Sequence, residues 1–438
     1  MAVIVVYDMV SKKQIVTIIL VGLIIFTGIV AITSLNNSGD KETNTMSGRL
    51  WVLGNANEDD TIDEEDVRLI EAHISNNYSI YNIAYDANGD GKIDEQDLEQ
   101  VKKLVSGEAE YIWYLNVDNK ICKFKNTAVK HVVAFNVGCT EATLLVDPKL
   151  LVGSDEMVLG DYRQEFQDLL SPSVRDVGDM DDPNREALVE LQNIQGDLIL
   201  FLGTVDMFVP TLEKEMEPFG IQVVRLSTWE NGNVPQGLLT FSYLMGKTEN
   251  ARKYLEWHDG IMDKIANITA TIADVDKVKM IISEGKSELR GPGVGDYEYS
   301  IFCGANNLAA TYGEHRWYIL DYSIEDAVAL YQKGLELIVF QHDGVFVSKS
   351  GDAERFYNEC LDMYGPYMKG IKIGVIGWDN TLGPSYIVSV MSYAYLMYPD
   401  LYSGVLDIEG EYQYFLSEIM HYTSWTASEM CICYSYLD

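Results

Sequence analysis

Two stretches of the chain place oxygen-bearing side chains at alternate positions, GNANEDDTIDEEDVRLIEAHI and YDANGDGKIDEQDLEQVKKLV. In the second, Asp86, Asn88, Asp90, Gly91, Ile93 and Asp97 stand at positions 1, 3, 5, 6, 8 and 12 of a loop. Alternate side chains on such a loop turn inward, the main-chain carbonyl of Lys92 at position 7 adds an oxygen, and Gly91 permits the sharp bend. The pattern suits a hard divalent cation, Ca2+ above all. The first loop begins 31 residues earlier and offers Asn55, Asn57, Asp59, the Thr61 carbonyl and Asp66. It leads with Asn instead of Asp and carries Asp60 at the glycine position, so its affinity is expected to be lower. Val67, Ile70, Ile74 and Leu98, Val101, Val105 then recur at three- and four-residue steps, so each loop feeds one amphipathic helix.

These paired loop-helix repeats, of EF-hand type with Asp at position 12, resemble a dockerin from about Leu50 to Gly107. The resemblance implies a module that folds around calcium and docks onto a cohesin-like protein. A calcium-folded spacer is the plainer alternative, because a core this small is not stable unaided.

From Tyr111 onward short apolar runs alternate with helical stretches, the mark of an α/β architecture. HVVAFNV, DLILFLG, IQVVRLS, VKMIIS, LELIVFQ and IKIGVIG have the length and Val/Ile content of strands buried on both faces of a parallel sheet. Between the two groups of strands, residues 236 to about 270 lack proline and keep an apolar stripe of Leu244, Tyr254, Trp257, Ile261 and Ile265. They predict one long helix linking two lobes.

Over roughly Lys130 to Leu416 this order resembles the substrate-binding proteins of siderophore, haem and cobalamin importers. The likeness is carried by KHVVAFNVGCTEATLLV, DMDDPNREALVELQNIQGDLILFLGT, FGIQVVRLS, ISEGKSELRGPGVGDYEYSIFCGANNLA and LGPSYIVSVMSYAYLMYPDLY. It implies a metal chelate or tetrapyrrole as ligand and an ABC importer permease as partner. Binding loops lie beyond the carboxyl ends of parallel strands, which nominates Thr140, Glu141, Asp206 and Trp229 in the first lobe and Arg290, Tyr297 and Trp378 in the second. Family members meet permease arginines with one carboxylate per lobe, and the matching positions here are Glu186 and Glu298. Exposed glutamates near helix starts also stabilise helices on their own.

Lys plus Arg number 32 against 67 Asp plus Glu, a formal charge of −35, which argues against nucleic acid and anionic lipid as partners. Six cysteines form no CxxC and no clustered Cys/His set. No nucleophile elbow, P-loop or GxGxxG after a strand is present, so an enzyme of the metal-chelatase or nitrogenase-like kind ranks behind a non-enzymatic binding protein. A dockerin-bearing surface scaffold or adhesion protein is the other alternative.

Residues 15–33 contain no charge over 19 positions, enough as a helix at about 1.5 Å per residue to cross a bilayer. With Lys12 and Lys13 ahead of them they predict a single-pass cell-membrane protein with the bulk of the chain outside, a removed signal sequence being the alternative. The expected architecture is thus α/β, two Rossmann-like lobes joined by a long helix, plus a small all-α dockerin-like EF-hand module and an N-terminal transmembrane helix. Its segments are a lead at 1–13, an anchor at 14–34, a linker at 35–48, the calcium module at 49–108, lobes at 109–235 and 273–438, and the linking helix at 236–272.

Overall fold

The computed structural model describes residues 44–160, 164–203, 209–228, 233–312, 319–342, 351–377, 382–429 and 433–437. The chain divides into two compact units. One comprises residues up to Ala109 with Trp113–Leu115 and Asn119–Cys122; the other comprises Glu110–Ile112, Asn116–Asp118 and Lys123–Asp438. A hairpin of β1 (Tyr111–Leu115) and β2 (Ile121–Lys125) carries the chain from the first to the second.

In the first unit α1 (Glu64–Ser75) and α2 (Glu95–Ser106) each begin at a capping box, with Asp63 and Asp94 as N-caps. Their facing apolar residues Val67, Ile70, Leu98 and Val101 bury with Ala56 and Ala87 into a small core, and Ile74 and Val105 pack partly buried at its edge. The period-3.6 stripe read from the sequence is therefore this interface.

The second unit contains two sheets. The first has five parallel strands in the order β5-β4-β3-β6-β7. They are β3 (His131–Ala134), β4 (Leu151–Ser154), β5 (Arg175–Asp176), β6 (Leu198–Leu202) and β7 (Gln222–Arg225). The second sheet centres on parallel β8 (Lys279–Glu284), β12 (Leu337–His342) and β13 (Lys372–Gly377). Antiparallel β9 (Glu288–Arg290), β11 (Ile319–Asp321) and β14 (Cys433–Ser435) extend its edges, and β10 (Asn306–Asn307) pairs with β8. All six strands expected from the sequence form, and they include the central strands of both sheets. Every residue of β6 is buried, the outcome expected of a continuous apolar run covered on both faces.

The expected single linking helix is corrected to two. Residues 234–269 form α3 (Val234–Met245) and α4 (Glu249–Thr269), separated at Gly246. Gly246 adopts the left-handed conformation at φ 70°, and the Gly246 and Lys247 N–H groups close back on the Tyr243 and Ser242 carbonyls at 2.9 Å each. That is the helix-ending arrangement glycine favours. The side chains around the break anchor it: Lys247 pairs with Asp147 at 2.8 Å, and Asn250 Nδ2 donates to the Leu145 and Ile419 carbonyls at 2.5 and 2.8 Å. Farther along α4, the Tyr254 hydroxyl donates to the Pro384 carbonyl at 2.8 Å and the Trp257 indole N–H to Glu411 at 2.9 Å.

The expectation of a single-pass membrane protein is also corrected. No helix among the described residues is long and apolar enough to cross a membrane, and the 15–33 segment lies outside those residues.

Candidate functional site

From position 3 to position 12 the main-chain bonds accepted by the side chains of the two acidic loops repeat at the 31-residue shift. Asp66 Oδ1 accepts the Asn57 N–H and Asp97 Oδ1 the Asn88 N–H, both at 3.1 Å. Asp66 Oδ2 accepts from Asp63 N–H at 2.9 Å, and Asp97 Oδ2 from Asp94 N–H at 2.8 Å. Asn57 and Asn88 accept from the N–H groups of Asp59 and Asp90 at 3.0 and 2.9 Å, and these aspartates accept in turn from Thr61 and Lys92 at 2.7 and 3.0 Å. Position 12 thus serves loop and helix together, as the last acidic residue of the loop and as the capping-box residue of the helix. The N-caps Asp63 and Asp94 were missed in the sequence, although D-x-x-D ahead of an apolar run is a legible capping signal.

The loops differ where their sequences do. Glu58 takes the positive φ (56°) that Gly89 takes in the second loop (68°), and Asp60, at the place of Gly91, pairs with Arg49. Asn55, at position 1, is fully buried, and its Oδ1 has no hydrogen-bond partner among the described residues. Burial raises the Asp97 carboxyl to about 6 against two backbone N–H bonds that lower it, and Asp86 adds to the rise. Burial raises Asp66 in the same direction. Among the described residues no three His, Cys, Asp or Glu side chains already stand grouped for a metal, the carboxylates being turned onto backbone N–H groups. The donors are nonetheless all oxygen, converge on one loop each, and include a buried orphan oxygen, a set that fits a hard cation.

In the first sheet, Thr140 and Glu141 lie on the helix Val137–Val146 after β3 and are fully buried. Thr140 Oγ1 bonds Ser154 Oγ at 3.0 Å, and Glu141 Oε2 accepts the Ser385 N–H at 2.8 Å. Asn136 caps this helix from a left-handed φ of 68°, its N–H donating to buried Asp155 Oδ2 at 2.5 Å and its side chain accepting from Cys139 N–H at 2.9 Å. Burial raises the Asp155 carboxyl above its ordinary value. No local pattern announces Asp155, because its partner Asn136 lies 19 residues back, in the turn after β3, while Asp155 itself follows β4.

Arg290 is buried within the second sheet, paired with Glu284, and donates from Nε to Gln341 Oε1 at 3.2 Å. Gln341 Nε2 reaches the Tyr393 hydroxyl at 3.1 Å, which donates to buried Asp296 at 2.9 Å. Burial raises the Asp296 carboxyl, and the Arg290 charge opposes the rise. Thr140, Glu141 and Arg290 therefore have internal partners in this structure. Tyr297 is half-buried against the core of the second sheet, and burial raises its hydroxyl. Asp206, Trp229 and Trp378 lie outside the described residues.

Glu186 and Glu298 are both exposed, each in the first turn of a helix, Arg185–Gln195 and Gly295–Phe302 respectively. Glu186 borders an open depression of ≈ 620 Å³ whose lining includes Val189, Met216 and Phe219.

Comparison with known proteins adds to this geometry. Residues 53–106 match the family model of the dockerin type I domain. A search of the curated proteins returns no match. Among solved structures, a TroA-like periplasmic binding protein FepB from Veillonella parvula is 14% identical, covering 74% of this chain and 99% of its own at a TM-score of 0.56. A periplasmic solute binding protein from the same organism is 14% identical, covering 73% and 96% at 0.55. An ABC transporter solute binding protein from Sulfurospirillum deleyianum is 16% identical, covering 70% and 94% at 0.53. The two-sheet unit thus has the fold of these periplasmic binding proteins.

Proposed function

We propose that this chain is an extracytoplasmic solute-binding protein that delivers a metal chelate or tetrapyrrole to an ABC importer. Its lobes would be residues 109–235 and 273–438, joined through 236–272. The observation that carries the reading is the unit of two sheets with parallel centres, whose fold matches solute-binding proteins over almost their whole length. Such a protein binds and releases without chemistry, so no catalytic residue is assigned. Ligand contact at Thr140, Glu141, Asp206, Trp229, Arg290, Tyr297 and Trp378, and permease docking at Glu186 and Glu298, belong to this proposal. The exposure of both glutamates on separate sheet units supports the docking role.

The 53–106 module would bind Ca2+ through Asp86, Asn88, Asp90, Asp97 and the Lys92 carbonyl, and more weakly through Asn55, Asn57, Asp59, Asp66 and the Thr61 carbonyl. Bound calcium would supply the charge that lets buried Asp86 and Asp97 stay ionised beside Asp90, and buried Asp66 beside Asp59, and the module then offers itself to a cohesin-like partner. The internal partners of Thr140, Glu141 and Arg290 favour a second reading, a dockerin-bearing scaffold whose lobes carry no solute. Native mass spectrometry of the chain purified from its own host separates the two. A co-purified chelate or tetrapyrrole supports delivery, whereas a ligand-free protein that also fails to bind ferric siderophore, haem or cobalamin by fluorescence titration would exclude it.

A further inference from the structure

Five residues ahead of the first position of each acidic loop, the chain makes a contact that the loop pattern does not call for. In the second repeat the Tyr81 hydroxyl donates to Asp86 Oδ2 at 2.7 Å. The same oxygen accepts the Gly91 N–H at 2.8 Å, while Asp86 Oδ1 accepts the Asp90 N–H at 3.1 Å. The 31-residue shift maps Tyr81 onto Leu50 and Asp86 onto Asn55. There the polarity of the contact is reversed. Asn55 Nδ2 donates to the Leu50 carbonyl at 3.1 Å and to the Asp59 carbonyl at 2.8 Å.

A carboxylate oxygen only accepts and an amide nitrogen only donates. Each repeat therefore supplies the complement from the same sequence position, a hydroxyl where the loop leads with Asp and a carbonyl where it leads with Asn. In both, one terminal atom of the leading side chain is tied outward. Tying that atom fixes the side-chain torsions, and with them the place of the other oxygen.

We propose that Tyr81 is a positioning residue for the cation site of the second loop, holding Asp86 Oδ2 so that Oδ1 is presented as the first ligand. The inference rests on the calcium reading above, and Tyr81 itself supplies no ligand atom. Tyr78, on the same connecting segment, contacts the His73 ring at 5.6 Å between centroids and is 62% exposed, which makes it the natural control. Partners that orient metal ligands from outside typically contribute about 10- to 100-fold in affinity. With the Gly91 N–H still holding the same oxygen, the lower end, about tenfold, is expected.

The test is calorimetric titration of calcium into the full chain, with the second site identified by its loss in Asp90→Ala. Tyr81→Phe should raise the Kd of the second site by about tenfold and leave the first site unchanged, and Tyr78→Phe should leave both unchanged. Because the effect runs through Asp86, adding Tyr81→Phe to Asp86→Asn should change the second Kd by less than about twofold. An unaltered second site in Tyr81→Phe, equal losses with and without Asp86→Asn, or a loss shared by both sites would each overturn the role. A wild-type chain giving no calcium heat removes the calcium reading itself and this inference with it, a result distinct from the other three.

Discussion

Gly237→Ala and Gly260→Ala, one on each of the two consecutive helices α3 and α4, should move stability in opposite directions. A Cβ on Gly237 would stand 2.0 Å from the Ser227 carbonyl oxygen and 2.7 Å from its carbon, both backbone atoms. A relaxed carbon–oxygen contact needs about 3.3 Å, so α3 must withdraw by more than an ångström from the end of β7. Leu238, Leu239 and Phe241, all buried on the same helix, would be carried with it, and Phe241 would be drawn off the Phe201 ring on which it stacks at 4.0 Å. Overpacking of this kind costs about 1–3 kcal/mol and sometimes more. The better helix propensity of alanine offsets about 0.8–1 kcal/mol of it. Gly260 is exposed in the interior of α4, with nothing within 4 Å of an added Cβ. There alanine gains about 0.8–1 kcal/mol with no steric term. Urea unfolding of both variants, followed by tryptophan fluorescence, should therefore show Gly260→Ala above wild type and Gly237→Ala below it. Equal or greater stability in Gly237→Ala would refute the close approach of α3 to Ser227.

Arg290→Ala removes the cation that faces Glu284 and Asp296 inside the second sheet and should destabilise by about 3–5 kcal/mol; a change under about 1 kcal/mol, accompanied by lost ligand binding, would instead return Arg290 to the ligand. Asp90→Ala should weaken the second calcium site more than Asp59→Ala weakens the first, and calorimetry in which neither variant alters binding would rule out both loops as sites. Reversing both Glu186 and Glu298 to Arg should impair uptake in cells while the purified protein keeps its affinity for ligand, because charge pairs at a docking rim steer and orient encounter. Normal uptake by that double variant would remove the two glutamates from delivery.

The strands were legible because burial on both faces leaves a continuous apolar run, and LILFL at 198–202 needs no other signal. The short antiparallel strands β9, β11 and β14 were not. Three residues each, they form by pairing with strands already present, not by any periodicity of their own. The break in the linking helix was written in the sequence as Gly246-Lys-Thr-Glu, a left-handed terminator followed by the start of a new helix, but the apolar stripe running past it masked the signal. Arg290 stands beyond the strand predicted at VKMIIS, the place where a binding loop is expected. Gln341 and Tyr393, with which it shares a buried network, lie 51 and 103 positions farther along the chain, where no local pattern announces them. The repeat of the two acidic loops was legible almost entirely, since the side chains that bond one another lie within one loop each, whereas the contact from Tyr81 falls just outside the pattern.

The interruption at Gly246 changes what sets the stiffness of the connection between the sheets. A continuous helix resists bending because every turn of its carbonyl–amide ladder must stretch on one side. At Gly246 that ladder ends in the two bonds that close back on Ser242 and Tyr243, so it does not run on from α3 into α4. Rigidity at this point is lodged in side chains, the Lys247 ammonium on Asp147 and the Asn250 amide shared between two carbonyls from distant segments. The bracing of this joint is thus partly exposed to its surroundings, sensitive to salt at the first contact and to a single amide at the second.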